Sequence, residues 1–130
     1  MKIGKSTEYA LLASVYVAEN YKEGLVMTHQ ISKEYKIPLD YLSKILQHLV
    51  KAKILHSKRG SGGGYVLAKD ASKISLLEII ETIEGPLFNQ MYLSDLTNKQ
   101  FSKNIKATCD KAVKLARDVC ANTSLADVMR

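Results

Sequence analysis

Residues 37–67, IPLDYLSKILQHLVKAKILHSKRGSGGGYVL, read as one amphipathic helix followed at once by a basic, glycine-tipped hairpin. Leu42, Ile45, Leu46, Leu49 and Val50 recur at i, i+3, i+4, i+7 and i+8, the stripe of a helix that packs one face on a core. Pro38 suits the first turn, where its missing N–H has no intrahelical partner. The other face carries Asp40, Ser43, Lys44, Gln47 and Lys51, polar side chains long enough to read a groove or hold a phosphate. Beyond Ala52, the runs 54–59 and 65–68 are two short strands. Between them Gly60-Ser61-Gly62-Gly63-Gly64 forms a turn in which positive φ is expected. Helix then hairpin is the pattern of a winged helix-turn-helix.

Working outward, the segments on either side support that pattern. Ser6 is the expected N-cap of a helix reaching Asn20 that is apolar on most sides, and Thr28 the expected cap of a short helix through Tyr35, with Ile31 inward. After the hairpin, Ser75 and Glu78 stand in capping-box spacing before Leu76, Ile79, Ile80 and Ile83, and Gly85-Pro86 ends that helix. Residues 86–102 lack a period and read as a long excursion with about one helical turn. From about Lys103 a last long helix runs to Ala121, with Ile105, Cys109, Ala112, Ala116, Val119 and Cys120 on one stripe. Ser124 and Asp127 then cap a final turn. The expected fold is mainly α with a small β-hairpin wing. A winged helix-turn-helix domain spans 1–85, and a loop and dimerisation helix occupy 86–130 of the same compact unit. A stripe of small residues on a terminal helix suits a homodimer, the competing reading being packing within one chain.

Charge is concentrated rather than spread. The chain of 130 residues carries a net +6. Residues 1–32 and 74–130 are each neutral, whereas residues 33–73 hold nine basic side chains against Glu34, Asp40 and Asp70, so the whole excess lies on the helix and hairpin. A solvated face would scatter charge more evenly; this distribution points to a polyanion, with nucleic acid the leading partner. The longest apolar run, Tyr9–Ala18, is too short for a bilayer, the first five residues lack a signal peptide's apolar segment, and two cysteines frame no disulfide fold. A cytoplasmic protein without membrane attachment is expected.

Other motifs give way to plainer readings. Gly4-Lys5-Ser6-Thr7 lacks the earlier glycine of a phosphate loop, and the 60–64 glycines are followed by a strand, not the helix of a dinucleotide site. His29, His48 and His56 show no metal-ligand spacing and no nucleophile–base set, so each is a surface or groove-facing side chain and no enzyme is indicated.

Tyr41-Leu42, Arg59-Gly60-x-Gly62-Gly63-Gly64-Tyr65-x-Leu67, Ile74-x-Leu76-x-x-Ile79-Ile80, Glu84-Gly85-Pro86 and Ser124-Leu125-Ala126-Asp127 together resemble the Rrf-type (IscR/NsrR/CymR-like) family of bacterial winged helix-turn-helix transcription regulators. The resemblance covers nearly the whole chain. It implies a homodimer, a repressor by expectation, on a two-fold symmetric double-stranded DNA operator. The 38–51 helix would enter the major groove through Asp40, Ser43 and Lys44, and Arg59 would reach a minor groove. Lys33, Lys36, Lys51 and Lys58 are expected at phosphates, with Gly62 and Gly63 at the wing tip. Cluster-binding relatives carry three cysteines in the loop before the last helix, and this chain has none there. Glu8, where some relatives place an acidic ligand, is equally a first-turn acid favouring the helix dipole. No cofactor is expected, and the signal is left open between an effector protein and a small molecule. Cys109 and Cys120 lie three turns apart, about 16 Å at ~1.5 Å per residue, too far for a disulfide within one chain. They read as packing residues, the alternative being an interchain thiol switch. The competing class of function is a winged-helix module acting through a protein partner.

Overall fold

The computed structural model describes residues 2–58 and 63–130. Its elements are helices α1 (Lys5–Asn20), α2 (Thr28–Tyr35) and α3 (Leu39–Lys51), strands β1 (Leu55–Lys58) and β2 (Gly64–Leu67), and helices α4 (Leu76–Glu84), α5 (Gln100–Ala121) and α6 (Leu125–Val128). Single 3-10 turns stand at Tyr21–Glu23, Ala71–Lys73 and Leu93–Asp95. This is the expected helical fold with a hairpin wing.

α1 is the central helix and packs against α3, α4 and β2. Its inward face is built of small residues, Ala10, Ala13 and Ser14 with Val17, which lets neighbouring helices approach closely. The buried Ser14 hydroxyl donates to the Ala10 carbonyl at 2.8 Å, so the one polar interruption of the apolar run leaves no unsatisfied group. Leu42, Ile45, Leu46 and Leu49 of α3 are buried as their spacing requires, and Val50 is partly so.

Several helix starts differ from the sequence reading: Pro38, expected in the first turn of α3, is its N-cap, and α1 and α2 differ as well. Ser6 lies inside α1, whose N-cap is Gly4. The cap comes from a residue far along the chain: Glu84 Oε2 accepts from the Gly4 amide at 2.8 Å and from the buried Thr7 hydroxyl at 2.6 Å. Capping rules consider only neighbours in sequence, and this carboxylate comes from the end of α4. Likewise Met27 is the N-cap of α2, its amide held by the Gln30 side chain at 2.7 Å, and Thr28 is the first helical residue. The local capping boxes at Ser75/Glu78 and Ser124/Asp127 form as read.

The Thr7 hydroxyl and the Gly4 amide hold the Glu84 carboxyl below its usual range. A depressed folded pKa contributes stability above the ordinary carboxylate range and loses it as pH falls through the folded value. Glu84→Ala therefore lowers the melting temperature at neutral pH and flattens its decline in acid, which thermal unfolding across pH 3–7 measures directly.

β1 and β2 pair antiparallel in the register Leu55↔Leu67 to Lys58↔Gly64. A third strand fragment joins them, since Val26 and Tyr65 exchange backbone hydrogen bonds at 3.1 and 2.8 Å. The approach is so close that a Cβ on Gly64 would lie 2.6 Å from the Val26 carbonyl oxygen. Gly64 is thus required by contact, not by positive φ; the turn residues 60–62 lie outside the described residues.

α5 begins at Gln100, three residues before the sequence reading, and Ser102 is its only buried residue. The C-terminal segment returns to the winged unit: Leu125 donates to the Ile74 carbonyl at 2.9 Å, and its side chain is fully buried in the core.

Candidate nucleic-acid interface

α3 presents Asp40, Lys44, Gln47 and Lys51 to solvent, with Ser43 half-buried and its hydroxyl donating to the Leu39 carbonyl at 3.0 Å. Two flanks result. Ser43 and Gln47 line a groove of about 660 Å³ between α3, the start of α2 and the wing, together with Thr28, His29, Ser57, Lys58 and Gly63. Lys44 lies on the opposite flank, in a recess shared with Tyr41, His48 and residues of α1 and α4. The fold therefore brings Ser43, Lys58 and Gly63 together and sets Lys44 apart from them. Asp40 and Lys51 stand on the exposed ridge of α3, while Lys33 and Lys36 are exposed on and just beyond α2. Lys36 adopts the left-handed conformation, φ 56°, as it ends α2. Arg59 and Gly62 lie outside the described residues.

Sequence reasoning did not single out Thr28, Ser57 or Tyr65 as groove residues, and it left His29 between surface and groove. These positions face one another only because the Val26–Tyr65 bridge folds the wing back against the start of α2, a pairing across 39 positions that no local pattern announces.

The electrostatics of this face differ from those of the rest of the molecule. Of the eight described basic residues between 33 and 73, only Lys69 is ion-paired among the described residues, to Glu78 at 2.6 Å. Burial opposes ionisation of Glu78, yet Lys69 and the Ser75 amide hold its carboxyl below the usual range. By contrast Lys106, Lys114, Arg117 and Arg130 of the C-terminal region each hold a carboxylate of their own. Among the described residues, no acidic side chain lines the groove. The net positive charge therefore lies on α2, α3, the wing and the turns beside them, whereas residues 1–32 and 74–130 each carry as many acidic as basic side chains.

α5 carries an exposed apolar surface. Phe101, Ile105, Thr108, Ala112, Leu115 and Val119 follow a strict 4-3-4-3-4 spacing, the spacing of a coiled-coil seam. Phe101, Ile105, Leu115 and Val119 are 54, 43, 55 and 67 % exposed. This seam is rotated from the stripe read in the sequence. Cys109 and Cys120 belong to its half-buried flank, because Asp110, Val113 and Arg117 turn that side toward 86–89, where Asn89 donates to Asp110 and Arg117 bonds Glu81 and the Leu87 carbonyl.

A family model described as "Rrf2: Iron-dependent Transcriptional regulator" matches residues 3–130. Among curated proteins, a putative HTH-type transcriptional regulator of Aquifex aeolicus is 38 % identical over 81 residues, 62 % of this chain and 56 % of that protein. The HTH-type transcriptional regulator IscR of Escherichia coli is 38 % identical over 84 residues, 65 % of this chain and 52 % of IscR. The chain thus spans about half the length of the curated relatives it matches. Among solved structures, CymR (YrzC), the global cysteine regulator of B. subtilis, superposes with TM-score 0.85 at 25 % identity, covering 98 % of this chain and 95 % of CymR. IscR of T. potens superposes with TM-score 0.77 at 26 % identity, covering 99 % and 86 %.

The family description names iron. Residues 86–104 contain no cysteine, Cys109 and Cys120 sit three turns apart on one helix, and no group of three or more His, Cys, Asp or Glu gathers among the described residues. Nor is any helix of the described residues long and apolar enough to cross a membrane.

Proposed function

Because this chain belongs to the Rrf2 family of transcriptional regulators, we propose that it is a homodimeric, sequence-specific DNA-binding regulator, acting as a repressor, whose signal is not a three-cysteine iron–sulfur cluster. The observation that carries the reading is the unpaired positive charge on α2, α3 and the wing, beside a groove lined by no acid among the described residues. Backbone phosphates supply the counter-charge, and the exposed ridge of α3 faces the base edges. Dimerisation through the α5 seam sets two such ridges at half-sites at least one DNA turn, roughly 34 Å, apart.

Within this reading the cations divide by role. Lys33, Lys36 and Lys51 contact phosphate, so replacing any of them with Ala lowers affinity for operator and random duplex alike, while discrimination between the two survives. Lys44 and, from its place in the sequence, Arg59 carry base or shape readout, and loss of either costs operator binding about 1–3 kcal/mol with a smaller effect on random DNA. Anisotropy titrations of each variant against both duplexes check the division. A protein partner in place of DNA would leave all of these variants equivalent in DNA binding.

A further inference from the structure

The recess on the far flank of α3 is a site in its own right. It encloses about 310 Å³ between α1, α3 and α4, within the size range of small-molecule sites. Ile45 and Ile83 give it an apolar lining, and its polar groups are one ammonium, one imidazole and three hydroxyls. Lys44 and His48 reach it from successive turns of α3, and neither side chain makes a hydrogen bond or ion pair among the described residues. Ser6 of α1 and Tyr41 of α3 bond their hydroxyls to each other at its edge. Thr82 also lines it, with its hydroxyl donated to the Glu78 carbonyl. No carboxylate is present. Cationic and N–H donors beside an apolar lining, with no competing acid, match a small organic carboxylate carrying a compact apolar body.

We propose that this recess binds a small organic carboxylate, aromatic or branched, and that its occupancy opposes DNA binding. The second half rests on the DNA-binding function proposed above; the first does not. The coupling follows from position. Four of the lining residues, Tyr41, Lys44, Ile45 and His48, belong to α3, so a ligand bridging them to Thr82 and Ile83 fixes α3 against α4 and engages the Lys44 ammonium that DNA would otherwise use. A group engaged by one ligand is lost to the other, and the antagonism is reciprocal. A duplex phosphate at Lys44 would instead touch the exposed rim and leave Ile45, which is buried, out of contact.

The test uses the full chain without DNA, observing Ile methyl and His48 resonances by NMR while benzoate, phenylacetate, 3-methylbutanoate, benzylamine and inorganic phosphate are titrated separately. At least one of the three carboxylates is expected to shift the Ile45 and Ile83 methyls and His48 together, saturating near ~1 mM as befits a ligand of this size. Benzylamine and phosphate are expected to leave both methyls in place. Lys44→Met, an exposed and near-isosteric change, should weaken the effective carboxylate about tenfold. Ile83→Phe, filling the recess, should abolish the shifts while thermal unfolding reports an intact fold. Absence of saturable methyl shifts with all three carboxylates overturns the site. So does an equal response to benzylamine, a response to phosphate alone, or unchanged affinity in Lys44→Met. In a second arm, saturating carboxylate should lower affinity for random duplex DNA at low salt about fivefold or more. An unchanged affinity removes the regulatory half and leaves the site standing, whereas a protein that binds carboxylate but no DNA at all refutes the function and not the recess.

Discussion

Leu115→Glu is expected to convert the proposed homodimer to monomers at micromolar concentration and to remove most of its operator binding. Leu115 lies within the 4-3-4-3-4 seam of α5 and is 55 % exposed in the single chain, a costly position for a leucine unless a second copy covers it. Because these side chains are already about half-buried, covering the rest of Phe101, Ile105, Leu115 and Val119 is worth about 1 kcal/mol each on each chain, a favourable share of a dimer's association energy. By two-fold symmetry one substitution acts twice, removing two apolar contacts and placing two carboxylates in an apolar seam, so the expected loss is several kcal/mol per dimer. Ala112→Glu tests the same seam one heptad position earlier. Light scattering distinguishes the outcomes, and circular dichroism should show the helices intact, because α5 contributes only Ser102 to the buried set of its own chain. An unchanged dimer in both variants would place the interface elsewhere.

Gly64→Ala is expected to have the second large effect. Its Cβ would meet the Val26 carbonyl oxygen at 2.6 Å and the Leu25 Cβ at 3.2 Å, both on the segment that leads into α2. The first contact is with backbone, which cannot turn away as a side chain tip can, so the Val26–Tyr65 bridge must open. Overpacking of this kind costs about 1–3 kcal/mol. The consequence for DNA is larger than the stability change alone, because the bridge is what closes the groove lined by His29, Gln47 and Lys58. Chemical denaturation reports the first effect and anisotropy the second. Wild-type affinity in Gly64→Ala would show that the groove does not take part in binding.

Most of the fold was legible because it is written in local patterns. The α3 stripe, the Ser75/Glu78 and Ser124/Asp127 boxes and the Gly85 helix end depend on residues within a few positions of one another, and each forms as read. What escaped the sequence is long-range. The cap of α1 comes from Glu84, 80 positions after Gly4, and the groove is closed by a bridge between Val26 and Tyr65. The most exposed stripe of α5 overlaps the one read in the sequence only in part, for a related reason: the apolar positions alone allow two stripes that share Ile105, Ala112 and Val119, and the contacts of Asp110, Val113 and Arg117 with 81–89 decide which side faces inward. For the candidate interface, charge counting points to the segment that holds α2, α3 and the wing. It could not assign Lys44 to the α1/α4 flank and Ser43 to the wing flank of the same helix, because helical periodicity locates a face and not the neighbours that wall it.

Whether this positive surface receives duplex DNA is measured most directly as affinity for a labelled random duplex across a range of salt concentrations. With the charge excess engaging about six phosphates, the log–log slope should be about −5, weakening binding by roughly a thousandfold between 50 and 200 mM salt. Affinity that is indifferent to salt, or no binding at the lowest salt, would contradict it.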